Sequence, residues 1–177
     1  MRVLLRQWRE EDREPNAAIN ADPEVRRYLG GPRSREQSDQ TVDWASALIA
    51  ERGWGLWAVE VVGGPSFIGV TGLNQTDAIP GSAVEVSWRL GRQYWGQGYA
   101  TEAAREAVRF GFEQLDLEEI ASMTVPANLR SRRVMERLGM THDPNDDFDM
   151  PDQPPELTRH VLYRLRRGST ASSRPSD

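Results

Sequence analysis

The stretch Gln93-Tyr94-Trp95-Gly96-Gln97-Gly98-Tyr99-Ala100-Thr101-Glu102 decides how this chain is read. On its N-terminal side Val84, Val86, Trp88 and Leu90 alternate with Glu85, Ser87 and Arg89, the period of a strand with two unlike faces. On its C-terminal side Ala100, Ala103, Ala104, Ala107, Val108, Gly111 and Leu115 recur at helical spacing. Strand, glycine turn and helix therefore follow one another directly. Gly96 and Gly98 carry no Cβ, so the backbone there can pass close to a ligand. The first turn of the helix offers unpaired N–H groups and the positive end of its dipole. Together these form an anion cradle suited to a phosphate or pyrophosphate. Glycine spacing alone leaves open a plainer alternative, a loop that only turns the chain into a helix.

Outward from this stretch, the composition removes several classes of function. A length of 177 residues fits one domain with a proper core. There is no apolar run of membrane-spanning length and no signal-peptide pattern, so a cytoplasmic protein without a membrane partner is expected. The net charge of −5 argues against a nucleic-acid partner. With no cysteine the chain has no disulfide, no thiolate zinc site and no thiol nucleophile. All 22 basic residues are arginine, which rules out a phosphate-loop lysine, a kinase strand lysine and a pyridoxal Schiff base. His142 and His160 are the only histidines, too few for a histidine-rich centre, and no metal is expected.

Taken in order, the chain alternates between the two periods. Val3 to Trp8 reads as a strand, and Glu10 to Ala21 as a helix with acids at its start and a possible break at Pro15. Asp22-Pro23 opens a short helix, and Ser34 with Gln37 forms a capping box for a longer one toward Glu51. Trp54 to Val62 and Ser66 to Asn74 read as a hairpin about Gly63-Gly64, followed by the strand Ala83 to Gly91. The helix from Tyr99 to Leu115 leads to a strand at Ile120 to Val125. Asn128 caps a helix that stops at Gly139, and Arg159 to Leu165 is the last strand. Residues 1–167 form the domain, and 168–177 read as a disordered polar tail. His142 to Glu156 is rich in aspartate and proline, and its EF-hand-like alternation fails at Phe148 and Pro154. It reads as a solvated loop or as a lid whose negative field draws in a cationic amine.

Gln93-x-x-Gly96-x-Gly98 with Tyr99-Ala100 resembles the acetyl-CoA loop of the GCN5-related N-acetyltransferases, the GNAT family. Glu85-Val86-Ser87-Trp88-Arg89-Leu90 and Asn128-Leu129-Arg130-Ser131 resemble motifs of its RimJ/RimL-like branch, and the likeness runs in patches from about Val3 to Leu165. The resemblance implies an α/β GNAT fold: one domain with a mixed, mostly antiparallel sheet of about seven strands and helices on both faces. It implies acetyl-CoA as cosubstrate, held by Trp88, Arg89, Leu90, Gln93, Gly96, Gln97, Gly98, Tyr99, Ala100, Thr101, Asn128 and Ser131. It also implies that the early helices contribute to the acceptor pocket. Ser87 and Trp88 depart from the branch, where glycine and tyrosine are usual, and this bears on the acceptor more than on the coenzyme.

The chemistry follows from the residue types. The absence of cysteine excludes an acetyl-cysteine intermediate, so direct attack by the amine is the economical route. An α-amine, with a pKa near 8, needs far less general-base help at pH 7 than a lysine near 10.4. Glu85, set apart from its apolar neighbours by strand alternation, is the candidate base; a structural or orienting carboxylate is the alternative. Ser131, by resemblance, reaches the coenzyme sulfur and hydrogen-bonds the departing thiolate. Asn128 serves as helix cap and, by resemblance, as a contact to the pantetheine arm. Tyr94, Trp95 and Trp88 either pack around the coenzyme or belong to the core.

The leading reading is an acetyl-CoA-dependent N-acetyltransferase acting on a primary amine, either a protein N-terminus or a small molecule, with a homodimer left open. A dinucleotide-dependent oxidoreductase fits less well, since Thr101 stands where a Rossmann turn wants Gly or Ala and antiparallel strands precede the loop. A non-catalytic acyl-CoA sensor of the same fold is the other alternative.

Overall fold

In the computed structural model, which describes residues 1–81 and 83–168, the strand and helix on either side of the glycine turn form where the two periods place them. The elements are β1 (Val3–Arg6), α1 (Arg13–Ala21), α2 (Pro23–Arg26), α3 (Arg35–Arg52), β2 (Leu56–Val61), β3 (Gly69–Thr76) and β4 (Ala83–Leu90). After the turn come α4 (Tyr99–Glu113), β5 (Glu119–Thr124), α5 (Leu129–Arg137), β6 (Thr141–His142), β7 (Phe148–Asp149), α6 (Pro155–Thr158) and β8 (Arg159–Arg166). Local chemistry explains most of the boundaries. Ser34 and Gln37 cap α3 reciprocally, and Gly53 ends it in the left-handed region. Asp22 accepts from Glu24 N–H at the start of α2, with Pro23 in the first turn. Pro15 does not break α1, because it lies in the first turn, where its missing N–H costs no helical bond.

The strands form one mixed sheet in the order β1-β2-β3-β4-β5-β8-β6, with β7 paired to β8. Every pairing is antiparallel except β4 with β5, which is parallel and registered only at Glu85↔Ala121. This is the expected GNAT architecture. β6 and β7 add two short strands within the segment that reads as a loop.

The two faces of β4 meet different neighbours. Val86 packs with Leu73, Ala104, Ala107 and Ile120, and Val84 and Trp88 lie against the same cluster, on the side of α4. Arg89 stands beside Val70 across the β3–β4 register, and Val70 packs with Trp8, Ile19, Val25, Val42 and Ala45, on the side of α1–α3. Helices therefore cover both faces. A buried ion pair fixes the entry into α1: Arg6 donates to both oxygens of Asp12 at 2.7 and 2.8 Å, and its Nε reaches Glu60 at 2.7 Å. Breaking one partner would leave an uncompensated buried charge.

The segment from His142 to Glu156 is tied down. Asp147 accepts from Leu162 N–H at 3.2 Å and lies 2.8 Å from His142 Nε2. Asp146 pairs with Arg164 at 2.9 Å, and Asp149 with Arg159 at 3.2 Å. The reading of a charged lid over the acceptor is corrected: these acids are held by β8 and its neighbours. The expected disordered tail lies, beyond Gly168, outside the described residues. Among the described residues no helix is long and apolar enough to cross a membrane.

Candidate active site

The single register pair between β4 and β5 creates the site. Beyond Glu85 and Ala121 the two strands diverge, and their facing edges no longer share a ladder. A cleft of about 630 Å³ opens there, walled by β4, β5, the glycine loop and the starts of α4 and α5. The segment Glu24, Val25, Arg27, Tyr28 and Leu29 forms the remaining wall.

Most of the residues expected at the coenzyme and the reacting centre meet in this cleft: Glu85, Trp88, Arg89, Leu90, Gly96, Gly98, Tyr99, Ala100, Thr101, Asn128 and Ser131 all line it. Gln93 and Gln97 do not. The Gln97 amide folds back to donate to the Gln93 backbone C=O at 2.9 Å, so its side chain braces the loop internally. Tyr94, Trp95 and Trp88 also line the cleft while packing against the buried clusters behind it, so these aromatics belong to both the cleft wall and the edge of the core. None of residues 143–156 does.

The anion cradle has the geometry that glycine permits. Gly96 and Gly98 have φ of +76° and +87°, left-handed values that a side chain would strain. Gly98 is the N-cap of α4 and supplies no side-chain bond, so the first-turn donors are left to face outward. Arg2 braces the loop from behind. Its guanidinium pairs with Glu102, donates to Gln97 C=O at 2.9 Å, and lies 4.8 Å from the Tyr99 ring centroid.

Glu85 lies where the strands part. Its carboxylate accepts the backbone N–H of Met123 on β5, a donor that the diverging β4 backbone leaves free. Burial pushes the Glu85 carboxyl up to about 7, and the Met123 bond opposes this only in part. An acid with that pKa exchanges a proton near neutrality, as a general base must.

Across the cleft, Asn128 holds the start of α5. Its side chain accepts from Ser131 N–H at 3.3 Å and donates to Thr124 Oγ1 at 2.9 Å. This cap turns Ser131 into the cleft on the wall opposite Glu85. Arg130, one residue before, reaches the glycine loop, its guanidinium carbon 4.5 Å from the Trp95 ring centroid.

Several lining residues are not singled out one by one in the sequence. Glu24, Arg27 and Tyr28 belong to the early helices that the resemblance assigns to the acceptor pocket, and they stand about sixty residues before the strand they face. Met123, Thr124, Arg133 and Arg137 lie between or beyond the motifs. Among the described residues no group of three or more His, Cys, Asp or Glu is placed to hold a metal ion.

A family profile described as an acetyltransferase (GNAT) domain matches residues 2–141, a span that holds β4, the glycine loop and α5. The FsC-acetyl coenzyme A-N(2)-transacetylase of Aspergillus fumigatus is 31% identical over 181 residues, covering 93% of this chain and 77% of that protein. The crystal structure of an acetyltransferase from Agrobacterium tumefaciens, 28% identical, superposes with a TM-score of 0.76 over 94% of this chain and 91% of its own. The ribosomal-protein-S5-alanine acetyltransferase from Vibrio fischeri shares the fold at 16% identity, with a TM-score of 0.74 over 95% of this chain and 94% of its own. Profile, relatives and fold agree with the three motifs: the chain belongs to the GNAT family and is an N-acetyltransferase.

Proposed function

We propose that this enzyme moves an acetyl group directly from acetyl-CoA to a primary amine, with Glu85 as general base and Ser131 as the donor to the leaving sulfur. The observation that carries the reading is the Glu85 carboxyl, raised to about 7, opening on the same cleft as the glycine cradle. The donors at the start of α4, with Gly96 and Gly98, suit the coenzyme's pyrophosphate. The cleft between β4 and β5 suits its extended arm, with Asn128 beside it.

When bound, acetyl-CoA supplies the activated acyl carbon. The chain's own residues do the rest. Glu85 takes a proton from the acceptor nitrogen as the C–N bond forms and the C–S bond breaks. The Ser131 hydroxyl, a weak acid, stabilises the departing thiolate by donating a hydrogen bond. The acceptor enters from the α2 side, where Tyr28 and its neighbours form the wall. The name of the fungal relative, an N(2)-transacetylase, supports transfer to nitrogen, and an α-amine, with a pKa near 8, is the acceptor that asks least of the base.

Release of free coenzyme A, followed across a panel of amines and short peptides with acetyl-CoA, tests this reading. Ser131→Ala should slow turnover about tenfold to a hundredfold at every pH. Its deficit should shrink with an acyl donor whose thiol is a better leaving group. Tight acetyl-CoA binding with no turnover of any acceptor would favour the sensor over the enzyme.

A further inference from the structure

Arg89 is a cation without a counter-charge. Its Nε is buried and has no hydrogen-bond partner among the described residues, and no carboxylate there pairs with its guanidinium. Neither acid of the α2 segment pairs with it: Glu24, which lines the same cleft, lies 3.9 Å from Arg27, and Asp22 lies 3.4 Å from Arg92. The charged groups that Arg89 feels are cations, Arg26 and Arg33. Arg26 is itself spent on structure, donating to Gly31 C=O at 2.9 Å and to Leu29 C=O. A partly desolvated guanidinium left among like charges is costly, and an anion that fits its planar fork from the cleft side relieves the cost. Burial and the two neighbouring arginines lower the Arg89 pKa to about 9, so it remains charged at neutral pH.

Position decides which ligand brings the anion. Arg89 lines the cleft on the face of β4 shared with Val70 and turned toward α1–α3. The helix whose N-terminus suits the pyrophosphate, α4, packs on the other face. Glu85 and Ser87 share Arg89's face, and a four-residue step along a strand sets Glu85 and Arg89 about 13 Å apart at Cα. The Glu85 carboxylate is held at Met123, and the longer Arg89 side chain can lean along the strand, so the span between the two groups is on the order of 7–13 Å. A dipeptide or tripeptide has this separation between amine and carboxylate, at up to about 3.5 Å per residue. A single α-amino acid is too short.

We infer that the acceptor is a short amine-carboxylate molecule of dipeptide to tripeptide length, its amine at Glu85 and its carboxylate on the Arg89 guanidinium. This rests on the acetyltransfer reading of the cleft. It makes Arg89 a residue that selects the acceptor, and it turns the preference toward an anionic end.

The test compares dipeptides and tripeptides bearing a free carboxylate with the same peptides as C-terminal amides, reading coenzyme A release with acetyl-CoA saturating. Quenching of tryptophan fluorescence, to which Trp88 and Trp95 in the cleft contribute among the six tryptophans, reports binding of the same peptides without turnover. The free acids should be favoured in kcat/KM by about tenfold to a hundredfold, mostly through KM, the scale of a charge-assisted pair. Arg89→Gln should remove most of that preference and Arg89→Lys should keep part of it; the coenzyme contact expected at this position is then one of the strand backbone, which both variants keep, so calorimetry should show coenzyme A still bound by each. Peptide acids that bind no better than their amides, or not at all, would overturn the inference and leave acetyltransfer standing. A wild-type preference for succinyl-CoA over acetyl-CoA that Arg89→Gln abolishes would assign the guanidinium to the acyl group instead. Loss of coenzyme A affinity in Arg89→Gln would assign it to the coenzyme. Failure of the wild type to bind acetyl-CoA would remove the acetyltransfer reading, and this inference with it.

Discussion

The Glu85 carboxylate takes the backbone N–H of Met123 across the gap between β4 and β5. A side chain here does what a neighbouring strand would otherwise do. The bond fixes the direction of the acid, and the surrounding protein withdraws it from water. Both effects are needed for a base that works near neutrality.

Glu85→Gln keeps the shape, and its amide oxygen can still accept from Met123, but it cannot take a proton. In the wild type, kcat/KM should rise through about pH 7 as the carboxyl ionises, and again as the acceptor amine becomes neutral. The variant should lack the first rise and run about 10²-fold slower near pH 7.5. The deficit should narrow at higher pH. Parallel profiles for the two enzymes would mean that Glu85 is structural and that water or another group takes the proton.

The same substitution should stabilise the fold. Glu85 titrates near 4.5 when unfolded and near 7 when folded, so between those values the native state holds a proton that the unfolded chain has released. Stability is therefore lost as pH rises through that window, and the full penalty persists above it. The side chain is only partly shielded and opens on the cleft, so water screens some of the cost, leaving about 1–3 kcal/mol. Urea unfolding should show Glu85→Gln more stable than the wild type at pH 8 and equal to it at pH 4. A gain that does not depend on pH would point to packing instead of charge.

Gly98→Asp attacks the cradle directly. The residue sits at φ +87°, and a Cβ there would lie 3.2 Å from Arg2 Nη2. The new carboxylate would also oppose the bound phosphates. Affinity for coenzyme A should fall on the order of 10²-fold or more, while the far-ultraviolet spectrum stays native. Unchanged affinity by calorimetry would move the pyrophosphate away from this loop.

Asp147→Ala should cost stability and leave catalysis alone. It strips the partner from Leu162 N–H and from His142, a loss of about 1–3 kcal/mol. The acceptor KM should be the same as in the wild type at low and at high salt. A KM that rises at low salt only would restore the lid.

What was legible in the sequence was local. The alternation from Val84 to Leu90, the Ser34–Gln37 box, the Asn128 cap and the Gly139 stop all depend on neighbours a few residues away, and the fold realises each of them. β6 and β7 were not legible, because two-residue strands have no period of their own and exist only by pairing with β8. Asp146, Asp147 and Asp149 looked solvated for a similar reason, since Arg164, Leu162 N–H and Arg159, which hold them, lie well downstream. Glu85 could be singled out as the one acid among the apolar residues of its strand. The point where β4 and β5 separate leaves no local trace, so neither the raised pKa of Glu85 nor its bond to Met123 could be foreseen. Arg89 reads from the motif as a coenzyme contact; its isolation among Arg26 and Arg33 emerges only when α2 folds over it.

The lone bridge at Glu85↔Ala121 also bears on how the molecule breathes. On one side β1 to β4 form a continuous ladder, and on the other β5 to β8 form a second. Backbone hydrogen bonding joins the two halves at a single rung, with helix packing bearing the remaining load. Amide exchange should therefore be fastest along the inner edges of the divide and slow at the centre of each half-sheet. A ligand with peptide-like amides lying in the divide would act as a splint, binding the halves into one cooperative unit. The enzyme would then be mechanically softest at its midline between turnovers, and stiffest while the acyl donor is in place.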